Sequence, residues 1–193
     1  MLDAILSPEW EYRYFSFNSK WGKHDQLASM RNGSGDEYFV GFNDSGVVIK
    51  GFDHESDMSP YASDDMHIWP GVVDTVPVEF ASFLKDPAFP SEYTTFCLWR
   101  LDSDTQWRTG KIEYPVSNSN ADGSTTQLFA LDGQPDTYTE FATGYYEMEI
   151  DGLAVERIYR LEPLTEELIA KLNPEIKIKE LLEDIDEIGY PVA

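Results

Sequence analysis

The chain has little sulfur and almost no concentrated positive charge. Cys97 is the only cysteine among 193 residues, which excludes an internal disulfide and suits a reducing compartment. No apolar run approaches the roughly eighteen residues that a membrane-spanning helix needs. The opening MLDAILSPEW lacks the basic n-region of a leader, so neither a signal peptide nor an anchor is expected. These absences predict a soluble, cytoplasmic protein.

The scarcity of cations is the stronger constraint. There are 36 acidic and 14 basic residues, a formal net charge of −22. Residues 51–84 hold seven acids and no Lys or Arg, and residues 112–156 hold nine acids and again none. Such segments repel phosphate backbones and anionic lipid head groups, so neither nucleic acid nor a membrane is an expected partner. A cationic partner would be attracted, and its encounter accelerated by long-range steering that salt weakens. Solubility alone is a competing explanation of the same charge.

Signatures of chemistry are missing as well. No GxSxG elbow accompanies Ser56 or Ser59 near His54. GSGDE (33–37) lacks the lysine of a phosphate loop. The acids Asp53, Glu55 and Asp57 match the first half of a calcium loop, but its sixth position is Met58 rather than Gly and its twelfth is Asp64 rather than Glu. No paired ligands at zinc spacing occur. Cys97, between Phe96 and Leu98, sits in an apolar setting that raises a thiol pKa and leaves it inert. No catalytic residue, metal or cofactor is expected.

What is present is aromatic and periodic. Phe, Trp and Tyr make up 14% of the residues, and a chain of this length buries roughly 70% of the surface its unfolded form exposes. Alternation in WEYRYFSF (10–17), QLASMRN (26–32), EYFVGFN (37–43) and VVIKGF (47–52), punctuated by Asn32-Gly33-Ser34-Gly35 and Asp44-Ser45-Gly46, predicts a meander of strands. An irregular stretch follows from Asp53 to Thr75, then a short helix carrying Phe80, Phe83 and Leu84 and ending near Lys85. Strands are expected at 94–101, 105–114, 124–131 and 154–161.

Helical spacing of Tyr138, Phe141, Ala142, Tyr145 and Tyr146 predicts a helix from Pro135 onward. A second begins after the cap Thr165 and stops at Asn173-Pro174. A third has Ile178, Leu181, Leu182 and Ile185 on one stripe, and is expected to dock on its own fold rather than on a partner. The expectation is one domain over 1–193, α+β, with a mainly antiparallel sheet of six to eight strands and three to four helices.

Whole-chain style, together with the stretches WPGVVDTVP (69–77), TTFCLWR (94–100) and the IGYP ending (188–191), resembles acidic bacterial immunity-type proteins of toxin–immunity systems. No motif transfers residue by residue, and the compact Gly/Trp signature of the best-known immunity superfamily is not found. The resemblance implies a protein that neutralises a basic toxin and assigns no functional residues. From the charge pattern, the residues expected to face a basic protein partner are Asp53, Glu55, Asp57, Asp64, Asp65, Asp136, Glu140, Glu147 and Glu149. The alternative expectation is an enzyme or small-ligand binder in which His54 and His67 converge within the 53–69 loop, or a structural module.

Overall fold

A computed structural model describes residues 1–62, 64, 66–115 and 120–193. In chain order its regular elements are α1 (Leu2–Leu6), β1 (Phe15–Asn18), β2 (Gln26–Arg31), β3 (Glu37–Asn43), β4 (Gly46–Phe52), α2 (Ala81–Leu84), β5 (Phe96–Leu101), β6 (Arg108–Thr109), α3 (Ser124–Gln127), α4 (Pro135–Tyr145), α5 (Gly152–Tyr159), α6 (Glu166–Leu172) and α7 (Leu182–Ile188). The fold is α+β with antiparallel pairing. Among the described residues its seven α-helices exceed the three to four expected. Two compact units are formed, one from Met1–Lys20 and Leu128–Ala193, the other from Trp21–Gln127.

In the Trp21–Gln127 unit, β2 to β6 lie in chain order, each antiparallel to the next. The turn formers set this meander. Asn32 Oδ1 accepts the amides of Ser34 and Asp36, closing the β2–β3 turn, and Asn43 Oδ1 accepts the amide of Ser45 in the β3–β4 turn. Gly46 needs its φ of 148° there, because a Cβ would stand 2.2 Å from the Arg100 carbonyl oxygen. One face of the sheet presents Val48, Cys97 and Trp99, which are buried with Met58, Val72, Phe80 and Ala121.

Two strand expectations fail for identifiable reasons. Of 105–114 only Arg108–Thr109 pairs with β5. Beyond it the chain turns against the 69–72 segment, where the Gly110 backbone touches the Gly71 carbonyl and Trp69 Nε1 donates to the Glu113 carbonyl at 3.1 Å. Residues 124–131 are helical instead of extended, as α3 and then a 3-10 turn over Phe129–Asp132. Asp122 Oδ1 accepts both the amide and the hydroxyl of Ser124, and that local capping bond outweighs the weak strand preference of Ser-Thr-Thr.

The other unit is mainly helical. Its core gathers Leu2, Ile5 and Leu6 of α1, Tyr138 and Ala142 of α4, Ala154, Val155 and Ile158 of α5, Leu168, Ile169 and Leu172 of α6, and Ile185 of α7. Burying each large aliphatic side chain contributes about 2 kcal/mol before entropy is counted. The strand expected at 154–161 is α5. Asp151 accepts the amides of Leu153 and Ala154 as N-cap, and positions 154, 155 and 158 form an i, i+1, i+4 apolar stripe. Apolar-polar alternation over the same letters misled, since Val155 and Tyr159 also read as every second or fourth residue of a strand.

At the start of this unit, strand structure is confined to Phe15–Asn18, because Trp10–Tyr12 forms a 3-10 turn. Arg13 explains the curl: its Nε and Nη2 donate to the carbonyls of Ser7 and Pro8 while its guanidinium pairs with Asp184. Thr165 caps α6 as expected, accepting the Leu168 amide at 3.1 Å. The last helix docks on its own unit through Leu181, Ile185 and Tyr190, but Leu182 points outward, because a 3-10 turn over Ile178–Glu180 breaks the expected stripe.

Candidate functional site

The string around His54 leaves β4 at the open end of the β3–β4 ladder. The register pairs Glu37 with Phe52, so the next step outward brings Asp36 opposite Asp53. Asp36 Oδ1 accepts the His54 amide at 3.0 Å and the ring Nδ1 at 2.6 Å. Its other oxygen accepts the Asn32 side-chain amide at 2.6 Å. Asp53 Oδ1 accepts the Glu55 amide, and Ser56 Oγ donates to the Ala121 carbonyl at 2.6 Å. Thr95 Oγ1 accepts the Asp53 amide and donates to the Asp122 carbonyl, tying the corner to the 121–124 turn. His54 thus closes a strand-to-loop corner, with Asp36 as its partner across the hairpin.

The electrostatics follow from these contacts. Burial raises the Asp36 pKa, but hydrogen bonds from His54 and Asn32 outweigh it and hold the carboxyl below its ordinary value. Asp53 is pushed up, first by burial and then by the Asp36 charge. The hydrogen bond to Asp36 raises His54, with further help from the Glu55 and Asp53 charges.

Asp36, Asp53 and His54 each offer one ligand atom, all within 4.8 Å of one another. A hard divalent cation accepts such donors, with water completing its shell. It would first have to displace the 2.6 Å bond between His54 and Asp36. His67 is exposed and is not part of this group, so the structure does not bring the two loop histidines together there.

Of the residues expected to face a partner, Glu55, Asp57 and Asp64 are exposed on the Trp21–Gln127 unit, whereas Asp53 is half-buried at the corner. Asp65 lies outside the described residues. Tyr61, 55% exposed, stands in the same loop and stacks on Tyr93 with ring centroids 5.8 Å apart. On the other unit Asp136 and Glu140 lie one turn apart on α4, and Glu147 and Glu149 follow in the α4–α5 connection; all four are exposed. The opposite side of α4 buries Tyr138 and Ala142, which fixes the acidic side outward.

Six of the fourteen lysines and arginines are held in ion pairs with other acids. Arg13 pairs with Asp184, Lys20 with Asp186, Arg108 with Asp104, Arg157 with Glu162, Arg160 with Glu156 and Lys171 with Glu167. Among the described residues, Glu55, Asp64, Asp136, Glu140, Glu147 and Glu149 form no ion pair with a lysine or arginine. Cys97 is fully buried, and burial pushes its thiol up to about 12, so it is no nucleophile.

No helix among the described residues is long and apolar enough to cross a bilayer. No family model, no curated protein and no solved structure matches this chain.

Proposed function

We propose that this protein binds a basic protein partner through its exposed carboxylates, as an immunity-type protein of the bacterial cytoplasm that neutralises a basic toxin would. The observation carrying this reading is the set of exposed acids, Glu55, Asp64, Asp136, Glu140, Glu147 and Glu149, left without a lysine or arginine while six cations are paired with other acids. Unneutralised carboxylates on a chain of charge −22 give a field that steers a cation and is damped beyond about 10 Å by ordinary salt. Exposed Tyr61, beside Glu55 and Asp64 in sequence, supplies the kind of aromatic anchor that dominates binding energy in protein interfaces.

The test is kinetic. A partner is recovered from the native cytoplasm at low salt, and its association rate is then measured across a salt series with wild type and two neutralised variants. One carries Glu55→Gln and Asp64→Asn, the other Asp136→Asn, Glu140→Gln and Glu147→Gln. At least one variant should flatten the salt dependence and slow association about tenfold at low salt, within the range of electrostatic steering. An association rate indifferent to salt and to both variants refutes the reading.

A further inference from the structure

Within the Trp21–Gln127 unit, the helical segment over residues 78–84 crosses one face of the sheet. Asn43 Nδ2 donates to the Glu79 carbonyl at 2.9 Å and holds it there. Phe83 lies directly on β3 at Gly41, where a Cβ would be 2.5 Å from the ring. Beside this contact opens a cavity with about 420 Å³ of empty space, mouth included, lined by Trp21, Asp25, Gly41, Phe80, Phe83 and Asp86, among others. Gly41 and Phe80 are buried and form its inner part, whereas Trp21 is 42% exposed and Asp25 is exposed, so these two stand at the mouth.

The lining contains no lysine or arginine. Neither Asp25 nor Asp86 pairs with a lysine or arginine among the described residues. Asp86 gives one oxygen to the Ala88 amide at 2.9 Å, leaving the second for another donor. Aromatic walls with carboxylates and no cation exclude an anion and fit a cation that also has a flat face. Guanidinium meets both demands, since it stacks on aromatic rings and donates in a planar fork to carboxylates, while ammonium is compact and strongly hydrated. The space is large enough to admit one such side chain.

We propose that this cavity takes an arginine side chain presented by the basic partner. The inference rests on the docking reading above and specifies its anchor. The test uses the full chain and Nα-acetyl-arginine methylamide as probe, followed by two-dimensional NMR, with the isosteric citrulline derivative as the uncharged control. Saturable shifts are expected at the Trp21 indole N–H and at the amides of Asp25, Phe83 and Asp86. The citrulline compound should leave them in place, and Asp25→Asn with Asp86→Asn should weaken binding about tenfold or more.

No saturable shift, or equal shifts with citrulline, overturns the proposal; the citrulline comparison on wild type decides even where the double variant fails to fold. Because the probe needs no partner, the two readings fail separately. Probe binding without any salt-dependent partner keeps the cavity and removes the docking reading. Salt-steered association without probe binding does the reverse.

Discussion

Lys50 provides the sharpest quantitative test of the fold. It lies on the face of β4 that is buried with Val48 and Phe52, only 2% exposed, and its Nζ donates to the carbonyls of Phe89 and Pro90 at 2.6 and 2.9 Å. The Phe89 ring centroid is 5.4 Å from the same nitrogen. Burial lowers the amine from 10.5 to about 8, against the opposing pull of Glu37, Cys97, Glu92 and Asp86. Below the folded value both states are protonated, and the buried ammonium is penalised by about 3 kcal/mol relative to the unfolded chain. As pH rises from about 8 toward 10.5 the folded state releases its proton first, so the unfolded state holds more protons and stability increases.

About 2 kcal/mol of that penalty should be relieved between about pH 7 and about pH 9.5. Cys97 acts in the opposite sense, because its folded pKa is raised from 9.0 to about 12 and the unfolded thiolate gains above pH 9. The comparison is therefore made in a Cys97→Ala background, with and without Lys50→Met, by urea unfolding followed by circular dichroism. Methionine leaves the two carbonyls without their donor at every pH, an offset that drops out of the slope. The lysine protein should gain about 2 kcal/mol relative to the methionine protein across the window. Parallel pH profiles would refute the placement of Lys50 as a desolvated cation.

Other predictions follow from single contacts. Asp3 accepts the hydroxyls of Tyr138 and Tyr146 at 2.5 and 2.8 Å and the Phe15 amide at 2.6 Å; Asp3→Ala should cost about 3 kcal/mol in chemical unfolding by leaving buried donors unpaired. Burial raises the Asp3 pKa despite those bonds, so its contribution is full below 3.8 and lost as pH rises through the folded value, and Asp3→Asn should flatten that acid-side slope. His54 should titrate in NMR above 6.5 and fall toward that value in Asp36→Asn; a titration unchanged by the variant would remove the contact. Because that pKa is raised, the stability His54 contributes is present below 6.5 and lost as pH rises through its folded value. Gly123 holds φ of 81° with Asp53 Oδ2 2.2 Å from where a Cβ would stand, so Gly123→Ala should destabilise the corner by about 2 kcal/mol and release hydrogen-exchange protection at the Asp53 and Glu55 amides.

The residue letters alone placed the strands Gln26–Arg31, Glu37–Asn43 and Gly46–Phe52 to within a residue, because turn formers separate them, and Phe96–Leu101 to within two. They also determined α4 and α6, where apolar spacing and the Thr165 cap agree. The burial of Lys50 was not foreseen, although it shares parity with Val48 and Phe52 in VVIKGF. The short helices α1, α3 and α5 were not foreseen either. α5 spans two turns, too few for its period to outvote an apparent alternation, and the Asp151 cap decided it.

Tertiary structure alone brought Asp36 to His54, because a contact across eighteen residues depends on the hairpin register and not on local spacing. It alone put Asp25 and Asp86 around one cavity, by laying the 78–84 segment across β3. It alone determined which carboxylates kept no cation. Net charge is additive along a chain, but neutralisation needs two side chains within a few ångströms, and only folding sets that distance.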